Sequence, residues 1–240
     1  MEKEKTECSQ WNHLRINLNK DLAYNPEWES AIKLFSDRFK VKYFDPIQQL
    51  IELDWLKGEG FTILTVQCSL IEAFATLRTG QIFTNNRVAA VKKKYLYFES
   101  KRIFTDFLES EAIFKEHFWA EDPNEKDGKA RVPPFSASSF YSDVRCALMH
   151  EARTKGNWII NADPISKVDP RKAVFIEKEG DHLKIYRTIL HFRLQDYLTQ
   201  YCLELKEPKN NRLRLYFARK MDHLFQYPAN SKRFIWWEDK

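Results

Sequence analysis

FTILTVQCSLIEAFATL, residues Phe61 to Leu77, is the most apolar run in the chain, and its period decides what kind of fold surrounds it. Leu64, Cys68, Ile71, Phe74 and Ala75 recur every three or four residues, so they share one side of a helix. Gln67 and Glu72 interrupt the run, which makes it a core helix rather than a membrane span. Gly80 follows at the place where a helix C-cap belongs. Working outward, Pro26 opens a helix marked by Trp28, Ile32, Leu34 and Phe35. Pro46 begins another, with Ile47, Leu50, Ile51, Leu53 and Trp55, that runs into the Lys-Gly-Glu-Gly break at 57–60. Helical spacing returns over about Lys101 to Phe118 through Phe104, Phe107, Leu108 and Phe114. The polar stretch AEDPNEKDGKARVPPF reads as a loop, after which Ser136 or Ser138 can cap a helix reaching His150.

The period then changes. WII at 158–160 and AVFIEKEGDHLKIYR at 173–187 place β-forming residues around Glu179-Gly180-Asp181, which predicts a small β-hairpin. Helical spacing resumes over Ile189–Leu205 and Arg212–Phe225. The expected fold class is mainly α: an up-and-down helical bundle with a small β-hairpin insertion and C-terminal helices. Residues 1–45 form an N-terminal segment and helix packing on the bundle, 46–161 the helical core, and 162–240 the hairpin and last helices of the same globule.

With 240 residues, the chain is long enough to bury a substantial core. Hydrophobic residues make up 43% and charged ones 30%, a balance that predicts order everywhere except the first dozen residues. MEKEKTECSQ has no apolar stretch behind its charges and does not read as a secretory signal, so the expected setting is the cytoplasm. Cys8, Cys68, Cys146 and Cys202 are far apart and form no Cys-x-x-Cys, which points away from zinc and from a disulfide framework. The net charge of +5 is unevenly spread. Lys92, Lys93, Lys94, Lys101 and Arg102 interleave with Tyr95, Tyr97 and Phe98, and KEPKNNRLRLYFARK carries six basic residues against Glu207 alone. Patches of this kind suit a phosphate backbone or a solvated helix face.

DVRCALMHEARTKGNWII, Asp143 to Ile160, holds the clearest candidate for chemistry. Arg145 precedes His150 with four residues between. The bare pattern is common, and Arg187 with His191 and Arg219 with His223 show similar spacings. On a wheel of about 100° per residue, Phe140, Val144, Ala147 and Leu148 form the core stripe, while Arg145 and His150 lie on the opposite hemisphere about 140° apart. Cys146 and Met149 lie between them, apolar for a face in water, which suits packing against a second copy of the chain.

Arg145, four residues, then His150 on a long helix of a bundle resembles the Arg-x4-6-His signature of the HEPN superfamily of helical ribonuclease-like domains. The run RCALMHEARTKGNWII is similar to one in bacterial HEPN-like proteins of the defence type. The resemblance covers about Pro46 to Asn161 and is specific over Phe140 to Ile160. It implies a homodimer with one composite site and metal-independent cleavage of RNA, without a cofactor. An imidazole exchanges protons near neutral pH, so His150 suits transfer to or from a ribose 2′-hydroxyl or the leaving 5′-oxygen. Arg145 suits a scissile phosphate because its fork is always charged.

Two positions depart from active members. Cys146 stands where many have Asn, Asp or His, and Ala152 stands where one branch has tyrosine. Ser142, Asp143 and Glu72 are the supporting polar candidates, while Arg153, Lys155 and Lys92 to Lys94 are candidate RNA contacts. A catalytically silent dimeric RNA-binding or scaffold module is the alternative, and a helical nucleic-acid-binding regulator using the two basic patches is a third.

Overall fold

The computed structural model describes residues 2–18, 22–53, 59–119, 135–162 and 173–226. In chain order these form α1 (Glu2–Leu18), α2 (Pro26–Phe39), α3 (Asp45–Glu52), α4 (Glu59–Thr79), β1 (Ile82–Phe83), α5 (Arg87–Lys92), β2 (Leu96–Tyr97) and α6 (Ser100–Ser110). There follow β3 (Phe118–Trp119), β4 (Phe135–Ser136), α7 (Ala137–Ser139), α8 (Ala147–Glu151), β5 (Trp158–Asn161), β6 (Ile176–Glu179), β7 (His182–Tyr186), α9 (Arg187–Lys206) and α10 (Asn211–Leu224). π-Helical turns at Lys40–Phe44 and Phe140–Cys146 join α2 to α3 and α7 to α8. The fold is mainly helical, with a few short strands.

Contacts divide the chain into two compact units. The first gathers Met1–Lys42, Phe74–Phe98 and Leu198–Lys240, and the second Tyr43–Ala73 and Glu99–Tyr197. The division follows spatial neighbours rather than chain order.

In the first unit, α1 corrects the expectation of a disordered start. Its buried stripe is Glu7, Trp11, Arg15 and Leu18, at helical spacing but half charged, so hydrophobicity alone does not reveal it. Partners elsewhere in the unit make the charges tolerable. Arg15 donates through Nε to Asp222 Oδ1 at 2.7 Å, and Trp11 Nε1 donates to the same oxygen at 2.8 Å. Glu7 is paired with Arg38 and lies 3.6 Å from Lys42 Nζ. Around these polar links, Phe35 packs edge-on to Phe217 at 5.3 Å and Phe39 stacks on Phe74 at 5.6 Å. Gly80 ends α4 at φ +66°, and a Cβ there would lie 2.5 Å from Tyr216 Cδ1, so both conformation and space require glycine.

One helix start agrees with the periodicity and one helix end does not. Pro46 stands in the first turn of α3, which α2 reaches through the π-helical turn at Lys40–Phe44. Lys42, whose carbonyl the Pro46 ring would meet in a regular α-helix, lies inside the π-helical turn. The helix therefore widens where proline would otherwise break it. The helix from Lys101 stops at Ser110 rather than Phe118, since Glu111 turns extended at ψ 137° and Phe114 is buried from a turn. Of the Lys-Gly-Glu-Gly break, 57–58 lie outside the described residues, and Glu59 and Gly60 already belong to α4. The polar loop at 120–134 also lies outside them.

The second unit is built on aromatic packing. Phe140 lies 5.4 Å edge-on from Trp158, 5.5 Å edge-on from Phe118 and 6.2 Å in a stack with Phe104. The hairpin forms with Gly180 at φ +59°, pairing β6 antiparallel to β7. β5 adds to the other edge of β7 in parallel, from Trp158 opposite Leu183 to Asn161 opposite Tyr186. α4 is the one helix among the described residues that is long and apolar enough to cross a membrane, and 56% of that window is buried within the fold.

Two stability experiments follow from the buried polar groups. Asp222→Ala leaves the Arg15 guanidinium, 1% exposed, without its carboxylate, and is expected to cost about 3–5 kcal/mol in urea denaturation. A loss below about 1 kcal/mol would contradict the assigned role of the pair. His191 is fully buried, and burial lowers its pKa from 6.5 to about 4. The unfolded chain therefore takes up this proton first on acidification. The His191 contribution to stability is complete above pH 6.5 and is lost toward pH 4, by about 3 kcal/mol in all. The loss of stability between pH 7 and pH 4.5 should accordingly be smaller in His191→Phe than in the unmodified protein.

Candidate functional site

Ser136 begins the helix that carries the Arg-x4-His motif, its Oγ accepting from the Ser139 amide at 3.2 Å. Phe140, Val144, Ala147 and Leu148 are buried, and this stripe fixes which side of the helix is left for function. The segment from Phe140 to Cys146 is π-helical, however, so the turn per residue is smaller than the α-helical wheel assumes. Arg145 lies inside this wider turn and His150 on the α-helical turn after it. The 140° separation therefore does not carry over.

Arg145 is held from two sides. Its Nη2 donates to Glu72 Oε2 at 2.8 Å, with the two side chains 21% and 17% exposed. The guanidinium carbon is 5.4 Å from the centre of the Tyr141 ring, within cation–π range. Tyr141 in turn shares a 2.8 Å hydrogen bond with Ser100 and packs edge-on to Phe104. The Cys146 sulfur is 4.0 Å from Nη1. Burial works against the Arg145 charge, but the Glu72 carboxylate, with smaller contributions from Tyr141 and Cys146, outweighs it, so its pKa is raised. Burial raises the Tyr141 phenol as well. It also pushes the neighbouring Cys68 thiol up to about 12 despite the opposing pull of Arg145, which leaves Cys68 protonated and a poor nucleophile.

His150 is exposed at the end of α8, beside Met149 at 50% exposure. Ala152 ends the helix in the left-handed conformation at φ 53°, so the chain turns away directly after the motif. Glu72 is the supporting candidate that meets Arg145. Asp143 instead accepts from Ser139 Oγ at 2.8 Å and from Ser142 Oγ at 2.9 Å, and Ser139 Oγ accepts from Trp158 Nε1 at 3.3 Å. That network ties the helix to β5 rather than serving Arg145.

Arg153 and Lys155 both pair with Glu151, at 3.1 Å in the first case. Hydrogen bonding from Lys155 is the main reason the Glu151 pKa is lowered. Lys92, Lys93 and Lys94 are exposed but belong to the first unit, whereas Arg145 and His150 belong to the second. The later basic patch is not a uniform surface, because Arg214 and Arg219 are 0% and 1% exposed. Among the described residues, no three His, Cys, Asp or Glu side chains are grouped as metal ligands.

Sequence reasoning missed Tyr141, although its place four residues before Arg145 is the spacing at which helical side chains meet. It also dismissed Arg187 and His191, which with Gln67 form a second polar group in the same unit: Gln67 Nε2 donates to the Arg187 carbonyl at 2.6 Å.

No family model, curated protein or solved structure matches the chain.

A double-mutant cycle on Arg145→Met and Glu72→Gln is expected to give a coupling energy of about 1 kcal/mol in urea denaturation, between exposed and buried ion pairs in size. Strict additivity would mean that Glu72 does not hold Arg145.

Proposed function

We propose that the protein is a metal-independent endoribonuclease of HEPN type, acting in the cytoplasm as a homodimer in defence or toxin-like RNA degradation. One observation carries this reading: a partly exposed Arg145 is positioned by Glu72 and Tyr141, five residues before an exposed His150 on a continuous helix. π-Helical turns are uncommon and often mark functional sites, and Arg145 stands in one. Glu72 occupies Nη2 and the Cys146 sulfur lies at Nη1, while among the described residues Nε makes no hydrogen bond, so part of the guanidinium remains available to a phosphate oxygen. The helical core of the second unit is read here as a HEPN-like bundle.

In the proposed reaction the ribose 2′-oxygen attacks phosphorus as the bond from phosphorus to the 5′-oxygen breaks. One His150 takes the 2′-hydroxyl proton, and its counterpart in the second protomer gives a proton to the leaving 5′-oxygen. Arg145 offsets the charge that builds on the non-bridging oxygens. The products are a 2′,3′-cyclic phosphate and a free 5′-hydroxyl, so DNA is not a substrate. Met149 and Cys146 supply the apolar part of the dimer contact.

A second reading, an RNA-binding or scaffold dimer without catalysis, is favoured by Cys146. It places a thiol beside the guanidinium where an active member would have a polar helper.

The decisive assay is RNA cleavage in EDTA with end-group analysis. Cyclic-phosphate ends are expected, and Arg145→Ala and His150→Ala should each lower the rate by at least ~10²-fold while leaving the dimer intact. RNA binding and dimerisation without cleavage at any enzyme concentration support the scaffold reading. Undiminished cleavage by both variants overturns the site.

A further inference from the structure

The second unit contains a largely buried cation for which the described residues supply no carboxylate. Arg187, the first residue of α9, is 6% exposed, and among the described residues its guanidinium makes neither an ion pair nor a hydrogen bond; two of its three nitrogens, Nε and Nη1, are buried and unpartnered. One helical turn further on, His191 is 0% exposed with both ring nitrogens unpartnered. Gln67 of α4, also 0% exposed, uses its amide nitrogen on the Arg187 carbonyl and leaves Oε1 buried without a donor. An isolated buried charge of this kind is costly, and folded proteins almost always match it. The arginines buried in the first unit follow that rule. Arg15 meets Asp222, and Arg214 donates to the carbonyls of Leu205 and Glu207 at 2.7 and 2.8 Å.

The surroundings suit an anion. The aliphatic stem of Arg187 lies over the first turn of α4, where a Cβ on Gly60 would be 3.7 Å from Arg187 Cδ and 3.0 Å from Ile160 Cγ2. The glycine makes room for Ile160, and the arginine stem lies at ordinary contact distance from a turn whose backbone N–H groups have no partner within their own helix. α9 begins at Arg187 itself, so the first turns of two long helices meet at this side chain. The Phe44 ring lies 5.6 Å from His191 and gives the site an apolar wall.

We propose that Arg187, His191 and Gln67 form a buried site for a small oxyanion that carries a proton, with phosphate as the fitting class. Arg187 donates to the charged oxygens, Gln67 Oε1 accepts from the protonated one, and His191 uses one nitrogen in either sense. Sulfate at neutral pH has no proton for Gln67, so it binds more weakly than phosphate. The site is separate from Arg145 and His150, and its assignment does not depend on RNA cleavage.

The test is calorimetric titration of the full chain with inorganic phosphate, sulfate and adenosine 5′-monophosphate at matched ionic strength. One phosphate should bind per chain, more tightly than sulfate. Arg187→Met should weaken phosphate binding at least tenfold. Gln67→Leu provides a second variant should Arg187→Met fail to fold, and is expected to abolish the preference for phosphate over sulfate. Equal binding of the nucleotide would assign the site to a phosphate monoester, the same chemistry from another source. Absence of phosphate binding, or binding unaltered by both Arg187→Met and Gln67→Leu, overturns the proposal.

Discussion

The Arg15–Asp222 pair is the constraint on which the first unit depends. Both side chains are removed from water, and the Trp11 indole N–H completes the set. In a low-dielectric interior such a pair adds little net stability over an apolar replacement, but either half alone is strongly unfavourable. It therefore acts as a matching condition: α1 can bury its stripe only where α10 presents Asp222 one turn after Ala218 and next to Met221. The aromatic contacts around it, Trp11 on Phe217 and Phe35 on Phe217, supply the area that drives burial.

Arginine has a second use in this chain, as a donor to carbonyls that turns and helix ends leave over. Arg214 reaches Leu205, Glu207 and Pro208 across the turn between α9 and α10. Arg193 donates to Ile113 and Ala173 at 3.0 Å each, and Arg219 to Gly80 at 3.3 Å while facing the Tyr95 ring. The fork geometry lets one side chain serve several acceptors. Two of the arginines that look like a nucleic-acid surface in sequence, Arg214 and Arg219, are thus internal. Arg145 differs from these arginines in being held by a carboxylate rather than by carbonyls.

α2, whose buried stripe is wholly apolar, is legible from spacing, and so are α4, α9 and α10, where apolar residues keep the helical period around buried polar ones such as Gln67, His191 and Asp222. α1 is not, since two of its four buried positions are charged and their partners lie elsewhere in the chain. The hairpin is legible from Gly180 and its flanking β-formers. The parallel pairing of β5 with β7 is not, because no local signal specifies which strand joins an edge. In the candidate site, Glu72 shows itself as a polar break in an apolar run, and Arg145 and His150 by their spacing. The π-helical turn at Phe140–Cys146 has no such signature, and it changes the angles on which the wheel relied. Arg187 with His191 and Arg219 with His223 share one spacing in sequence. Only three-dimensional surroundings separate the matched Arg219 from the unmatched Arg187.

The discontinuity of the first unit has a consequence for synthesis on the ribosome. The second unit draws on residues 43–73 and 99–197, all of which emerge before α10. The first must wait for Asp222, and until then Arg15 has no carboxylate and Trp11 and Phe35 lack Phe217. A chain that lacks α10 therefore has every residue of the second unit but leaves the first as an open, aromatic half-core. This is the species most exposed to chaperones and to aggregation.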